Sequence, residues 1–278
     1  PSVIDQMVDG DKAPALGGGS RDISILFSDI ASFTSISESL SPEELVTFLN
    51  IYLTEMTNIV EERGGFVDKY IGDAIVGVFG APLADPIHAE NAVIAALECH
   101  SRLKEIQSDF ELPNEQLVAA RIGVNSGQAL VGNIGSRRRF NYTVIGDAVN
   151  LAARLEGANK AYSTNILISD ATREMCNDNL IFREVDRIRV VGRNKPVVIF
   201  EPFHSSEVEE IDRKPDFIAY AEGLEKYRVG QFEEAAAVFS GLAENGDKVA
   251  GKMSDRAKVL LGNSTLEDWQ GVTDLESK

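Results

Sequence analysis

The sequence is poor in the residues that staple or metallate small proteins. Among 278 residues there are two cysteines, Cys99 and Cys176, far apart and in no metal-ligand spacing. Neither suggests a disulfide framework, and a reducing compartment fits. The three histidines, His88, His100 and His204, are scattered, so neither a Ser-His-Asp relay nor a histidine zinc site is expected. Each reads as a surface or interfacial side chain. No apolar run reaches the ~20 residues of a membrane-spanning helix, and no signal-peptide pattern is read. Positive charge is scarce as well. Lys and Arg number 27 against 44 Asp and Glu, a formal net charge of −17, with a pI of about 4.6. Such a surface repels DNA and anionic lipid, so no nucleic acid is expected as a partner. A small polyanion such as a nucleotide needs only local positive charge and stays open. The first residue is Pro1 rather than Met, as expected of a piece of something longer.

What is present is a normal globular composition, 44% hydrophobic, enough for one large domain or a domain with an appendage. The most informative stretch is 23–79. A strand over 22–27 runs into Ser28-Asp29-Ile30, and strands over 66–70 and 74–79 flank the turn Ile71-Gly72-Asp73. Two short strands joined by a Gly-Asp turn read as a hairpin. If the first strand lies beside it, Asp29 and Asp73 meet at one edge of the sheet with no basic residue between them. Two such carboxylates repel. A pair of hard divalent cations, magnesium or manganese, would relieve that and clamp a displacement at phosphorus. Two ordinary turn aspartates explain this stretch equally well.

The flanking elements follow from local signals. Residues 1–21, with an amphipathic piece at 3–8 and a glycine-rich loop at 14–20, read as a lead-in. Ser41-Pro42-Glu43-Glu44 is a capping box that opens a long helix, which Gly64-Gly65 stops. Asp85-Pro86 opens a second helix. Strands are expected over 117–124 and 128–131, with turns at 125–127 and 132–136. Arg137-Arg138-Arg139 suit phosphates or a partner's acidic surface, and suit a solvated turn as well. A helix opens at Asp147 with Ala148, Leu151, Ala152 and Leu155 as its apolar side. Asn150 and Arg154, four apart, share a face that points away from this stripe. Either that face is simply solvated or it serves the active site of a partner subunit. A strand over 166–168, a short helix over 170–176 and a terminal hairpin over 182–200 close the domain. Residues 204–278 form an acidic helical extension. The aromatic, Gly and Ala spacing in 220–236 is similar to part of a tetratricopeptide-type helix pair. One such unit cannot form an array, so it is expected to pack against the main domain.

Residues 22–203 resemble the class III nucleotidyl cyclase catalytic domain, the homology domain of adenylate and guanylate cyclases. The resemblance rests on Phe27-Ser28-Asp29-Ile30-Ala31-Ser32-Phe33-Thr34, Lys69-Tyr70-Ile71-Gly72-Asp73-Ala74, Gly123-Val124-Asn125-Ser126-Gly127, Val131-Gly132-Asn133-Ile134-Gly135 and residues 143–156, in the family's order. It implies an α/β (α+β) fold with a ferredoxin-like βαββαβ palm core. It also implies a head-to-tail homodimer with its active sites at the interface. By position, Asp29, Asp73 and the Ile30 carbonyl are implied to hold two Mg2+ or Mn2+ ions per site. Lys69 is implied to read the purine, with Thr143 accepting from the adenine amine. Asn150 is implied to orient the ribose, and Arg154 to stabilise the transition state. Phe27 and Gly146 fall in the matching stretches and are implied as further substrate contacts. The family's Lys-Gly-Lys near the last hairpin is here Val191-Gly192-Arg193, so Arg193 or another cation is expected to meet phosphate in place of Val191. The implied reaction converts ATP to 3′,5′-cyclic AMP and pyrophosphate, with a membrane-anchored sensor domain expected upstream. A guanylate cyclase, which Lys69 disfavours, and a non-catalytic nucleotide-binding module are the competing readings.

Overall fold

A computed structural model describes residues 16–110, 112, 117–177, 179–205, 214–262 and 269–275. The amphipathic piece at 3–8 and the acidic linker at 207–210 lie outside the described residues. The first half of the chain runs β1 (Gly17–Ile30), α1 (Phe33–Ser39), α2 (Pro42–Glu62), β2 (Phe66–Ile71), β3 (Ala74–Phe79), α3 (His88–Glu105) and β4 (Ala120–Ser136). The order β2-β3-β1-β4, with each of these pairs antiparallel, is the expected ferredoxin-like core. Then come β5 (Arg139–Ile145), α4 (Asp147–Tyr162), β6 (Ile166–Ser169), α5 (Asp170–Glu174), β7 (Leu180–Arg189) and β8 (Val197–His204). The extension supplies α6 (Lys214–Arg228), α7 (Phe232–Glu244), α8 (Lys248–Leu261) and the two-residue β9 (Thr273–Asp274). Strand β6 pairs parallel with β4, β8 and β7 follow it, and β9 adds parallel to the β7 edge. Among the described residues no helix is long and apolar enough to cross a membrane.

Strand β1 is the axis of the molecule, and alternation divides its side chains between two cores. Leu26 and Ile30 face α2 and α3, in a core with Tyr52, Met56, Val93 and Ala96. Ile23 and Ile25 face the opposite side, in a core that includes Ala152 of α4. Asp29 shares the parity of Ile23 and Ile25, so it projects on the α4 side. The Ser41 capping box is present: Ser41 Oγ accepts from the Glu44 amide and Glu44 Oε2 accepts from the Ser41 amide at 2.7 Å. Such caps contribute about 1 kcal/mol.

Three sequence expectations need correction. Strand β1 begins at Gly17, not at 22, because Gly17 to Arg21 pair with Asn133 to Ala129 of β4. Residues 120–136 form one strand rather than two. The glycines there permit close approach instead of making turns: a Cβ on Gly132 would collide with the Gly17 carbonyl. Helix α3 begins at His88, since Asp85 Oδ1 accepts from the Ile87 amide and holds a turn before it.

The extension packs as expected against β7 and α4. The Tyr220 hydroxyl donates to the Val185 carbonyl at 2.9 Å, and Arg228 pairs with Glu184. A second large core combines Leu151, Leu155 and Tyr162 of α4 with Tyr220, Tyr227, Phe239 and Met253 of the extension.

Candidate active site

The hairpin and the β1 end bring Asp29 and Asp73 together. Ser28 pairs with Ile75 across the β1–β3 ladder, and Gly72, at a φ of 66°, makes the tight turn that returns Asp73 to this edge. The Ile30 amide donates to Asp73 Oδ2 at 3.1 Å, so the Ile30 backbone lies against the second aspartate. The carboxyl of Asp29 is pushed up to about 7. Burial is the main cause, followed by the hydrogen bond to Asp73 and the charges of Asp73 and Glu156. Two carboxylates here share a site that their own charges oppose.

A basic residue does reach this pair, contrary to the sequence reading. Arg121 of β4, directly across the ladder from Asp29, places Nη2 3.9 Å from Asp29 Oδ2 and Nε 3.4 Å from Glu156 Oε1. Burial also raises the Glu156 carboxyl, with Arg121 opposing the rise. No spacing in the sequence announces Arg121 or Glu156; only the β1–β4 register and the seat of α4 bring them in.

Among the described residues no three His, Cys, Asp or Glu side chains gather into a protein-only metal cage. Magnesium does not need one, because it is commonly held by one or two carboxylates with substrate phosphates and water completing the shell. Two mutually repelling carboxylates beside an exposed edge fit such a cation.

Lys69 and Thr143 also meet. Lys69 Nζ donates to Thr143 Oγ1 at 3.1 Å, and the Thr143 hydroxyl donates to Asp68 Oδ2 at 2.9 Å. Lys69 Nζ lies 3.2 Å from the same Asp68 oxygen. Asp68 has no sequence signal beyond its place before Lys69.

Helix α4 carries the other candidates. It begins after Gly146, and it lies directly on β4 because a Cβ on Gly123 would collide with the Ala152 carbonyl. Asn150 is exposed. Arg154 lies beside the β7–β8 turn, its Nη2 3.2 Å from where a Gly192 Cβ would stand, and its Nη1 is buried without a hydrogen-bond partner. Arg193, next in that turn, has its Nε 3.5 Å from Asp147 Oδ2, and its Nη1 is likewise buried and unpartnered. Val191 is 56% exposed and apolar, so the cations this turn offers are Arg193 and the exposed Lys195. Phe27 is half-buried on the α4 face of β1.

Within one chain these groups form three clusters: Asp29 and Asp73 with Arg121 and Glu156, Lys69 and Thr143 with Asp68, and Arg154 with Arg193 at the β7–β8 turn. Arg154 and Glu156 are two residues apart, about 200° around the helix. Glu156 therefore turns toward Asp29 while Arg154 turns toward Gly192. Among the described residues no hydrogen bond or ion pair joins Asn150, Arg154, Lys69 or Thr143 to Asp29 or Asp73.

Comparison with known proteins gives a consistent result. The family described as "Adenylate and Guanylate cyclase catalytic domain" matches residues 18–200. Adenylate cyclase 1 of Rhizobium meliloti is 36% identical over 181 residues, covering 65% of this chain and 27% of that protein. The adenylate cyclase of Anabaena cylindrica is 38% identical over 186 residues, covering 65% of this chain and 36% of that protein. The chain thus spans about a third or less of these relatives' lengths. The crystal structure of the adenylyl cyclase CyaB from P. aeruginosa superposes with a TM-score of 0.63 at 34% identity, covering 68% of this chain and 97% of that one. The guanylyl cyclase Cya2 superposes with a TM-score of 0.62 at 38% identity, covering 67% and 94%. By sequence and by fold, the chain belongs to the adenylate and guanylate cyclase catalytic domain family.

Proposed function

We propose that this chain is an adenylate cyclase that converts ATP to 3′,5′-cyclic AMP and pyrophosphate at the interface of a homodimer. The observation that carries the reading is the pair of complementary half-sites. Asp29 and Asp73 sit in one cluster, while Arg154, Arg193, Lys69 and Thr143 lie elsewhere on the same chain. Two copies packed head to tail would bring the acidic cluster of one against the cationic and amide groups of the other. The family membership and the adenylate cyclase relatives support the same assignment.

Each residue then has a task. Asp29, Asp73 and the Ile30 carbonyl would hold two Mg2+ or Mn2+ ions, which supply Lewis-acid charge to the ribose 3′-hydroxyl and to the triphosphate. Asn150 of the second copy would hold the ribose by its amide. The unpartnered Arg154 guanidinium nitrogen would meet the charge that grows on the α-phosphoryl oxygens as the 3′-oxygen attacks and pyrophosphate leaves. Arg193 would hold the terminal phosphates. Phe27 and Gly146 would contribute apolar surface and close backbone approach. Lys69 donates and Thr143 accepts, which matches the adenine N1 acceptor and N6 donor. Guanine presents the opposite pattern at those positions.

The test is cyclic nucleotide formation by the purified chain with Mn2+, from ATP and from GTP. Cyclic AMP from ATP at a rate well above that of cyclic GMP is expected. Cyclic GMP as the main product would make it a guanylate cyclase, and neither product would leave a nucleotide-binding module.

A further inference from the structure

We propose that Asp68 is a specificity residue, one that fixes the Thr143 hydroxyl as a hydrogen-bond acceptor and so makes the site select an adenine amine. The inference rests on the nucleotide reading above and goes beyond it by naming how the choice of base is enforced. The Asp68 side chain is 1% exposed. A buried carboxylate there needs a structural or functional reason.

The chemistry of the three groups leaves one arrangement. An ammonium only donates and a carboxylate only accepts. Lys69 Nζ lies 3.1 Å from Thr143 Oγ1, and Asp68 Oδ2 lies 2.9 Å from it. Thr143 must accept from Lys69 and must give its single proton to Asp68. Only a lone pair remains for a ligand. A threonine hydroxyl rotates and could otherwise donate to the guanine O6 or accept from the adenine N6 amine. Asp68 removes the first option. A GTP bound in the same pose would set its O6 against an acceptor that has no proton to offer.

The backbone supports this role. Adjacent residues of a regular strand point to opposite faces. Here Val67 pairs with Gly77 and Lys69 with Val76, so Asp68 is the extra residue of a β-bulge. Bulges re-aim side chains, and this one lets Asp68 and Lys69 converge on the same hydroxyl. The second oxygen, Asp68 Oδ1, is buried without a hydrogen-bond partner. The arrangement thus costs stability, as functional positions commonly do.

The experiment measures kcat and KM of the full chain with ATP, GTP and purine riboside triphosphate, which lacks the amine. It compares wild type with Asp68→Ala, the isosteric Asp68→Asn, Thr143→Ala and the Asp68→Ala/Thr143→Ala double variant. Asp68→Ala should lower the preference for ATP over both competitors by about tenfold, the scale of one correctly oriented hydrogen bond. Asp68→Asn should fall between, because its amide oxygen still accepts. In the Thr143→Ala background, Asp68→Ala should leave the preference unchanged. Equal losses on all three nucleotides, or an undiminished effect without Thr143, would overturn the inference. Displacement of a fluorescent nucleotide reads the same preference without turnover. A chain that binds but does not cyclise therefore still tests Asp68, and its inactivity counts only against the cyclase reading. A wild-type chain that binds neither nucleotide overturns both.

Discussion

The Tyr162 hydroxyl donates to Asp186 Oδ2 at 2.6 Å, and both side chains are completely buried. Tyr162 ends the helix that carries Asn150 and Arg154, and Asp186 lies in β7, whose far end leads into the turn with Gly192 and Arg193. The same carboxylate oxygen accepts from Thr273 Oγ1 at 2.7 Å and from Arg256 Nη1 at 3.2 Å, both in the C-terminal extension. Burial pushes the Asp186 carboxyl up, and these donors with the Arg256 charge push it back. One buried acid thus ties the extension to the two elements that present the candidate phosphate-binding arginines.

Asp186→Ala is expected to lower the unfolding free energy by about 3–5 kcal/mol, because it leaves the Arg256 charge and two hydroxyls without their acceptor. Chemical denaturation reads this directly. A loss under 1 kcal/mol would mean that the network is not formed in solution.

Most of the fold was legible in the sequence because its signals are local. The Ser41 capping box, the Gly72-Asp73 turn and the apolar stripe of α4 each specify an element without outside help. The pairing of Asp29 with Asp73 followed once the hairpin was set beside β1. What could not be read depends on register and close approach. Arg121 reaches Asp29 only through the β1–β4 ladder, and Asp68 joins Lys69 only through a bulge. Gly127 and Gly132 carry the same turn-like signature as true turn glycines, yet they serve a long strand that packs against its neighbour. The helix signals of the extension were readable, but its large shared core with α4 required the tertiary structure.

The Asp29–Asp73 repulsion predicts opposite effects with and without metal. Asp29→Asn replaces one charge with a neutral group of the same shape that can still donate to Asp73. At pH 8 with a chelator, this variant should melt a few degrees above wild type, the scale of about 1 kcal/mol. Manganese should raise the wild-type melting temperature by binding the folded state, and should raise that of Asp29→Asn much less. Equal manganese shifts in both proteins would remove Asp29 from the metal site.

His88 gives the chain an acid-sensitive element. Its Nδ1 is 2.7 Å from Ser24 Oγ, and Ser24 continues to Ser126 at 2.5 Å. Burial holds the His88 pKa below its ordinary value of 6.5, while Asp85 and Asp22 act the other way. The unfolded chain therefore binds the proton first as pH falls. Stability from this residue is intact above about pH 6.5 and is lost as the pH drops toward the lower folded pKa. Lowering the pH from 7.5 to about 5.5 should reduce the melting temperature of wild type more than that of His88→Asn. Parallel curves would show that His88 does not titrate in this window.

The composite site can be tested by complementation. Asp73→Ala removes a carboxylate from the acidic half-site and leaves Arg154 intact; Arg154→Ala does the reverse. Each homodimer carries two damaged sites and should retain under about 1% of wild-type activity, a loss on the scale of removing a major electrostatic contact. In a heterodimer, one of the two interfacial sites combines the intact Asp73 of one copy with the intact Arg154 of the other, while the second site carries both defects. Equal mixing with free exchange makes about half of the dimers mixed, each with one good site of two. Activity should therefore recover to about a quarter of wild type, as twofold geometry requires. If each active site were built within one chain, the mixed dimers would stay as inactive as their parents. Mass spectrometry that counts the mixed dimers, set beside the cyclic AMP they form, separates that outcome from a failure of the subunits to exchange.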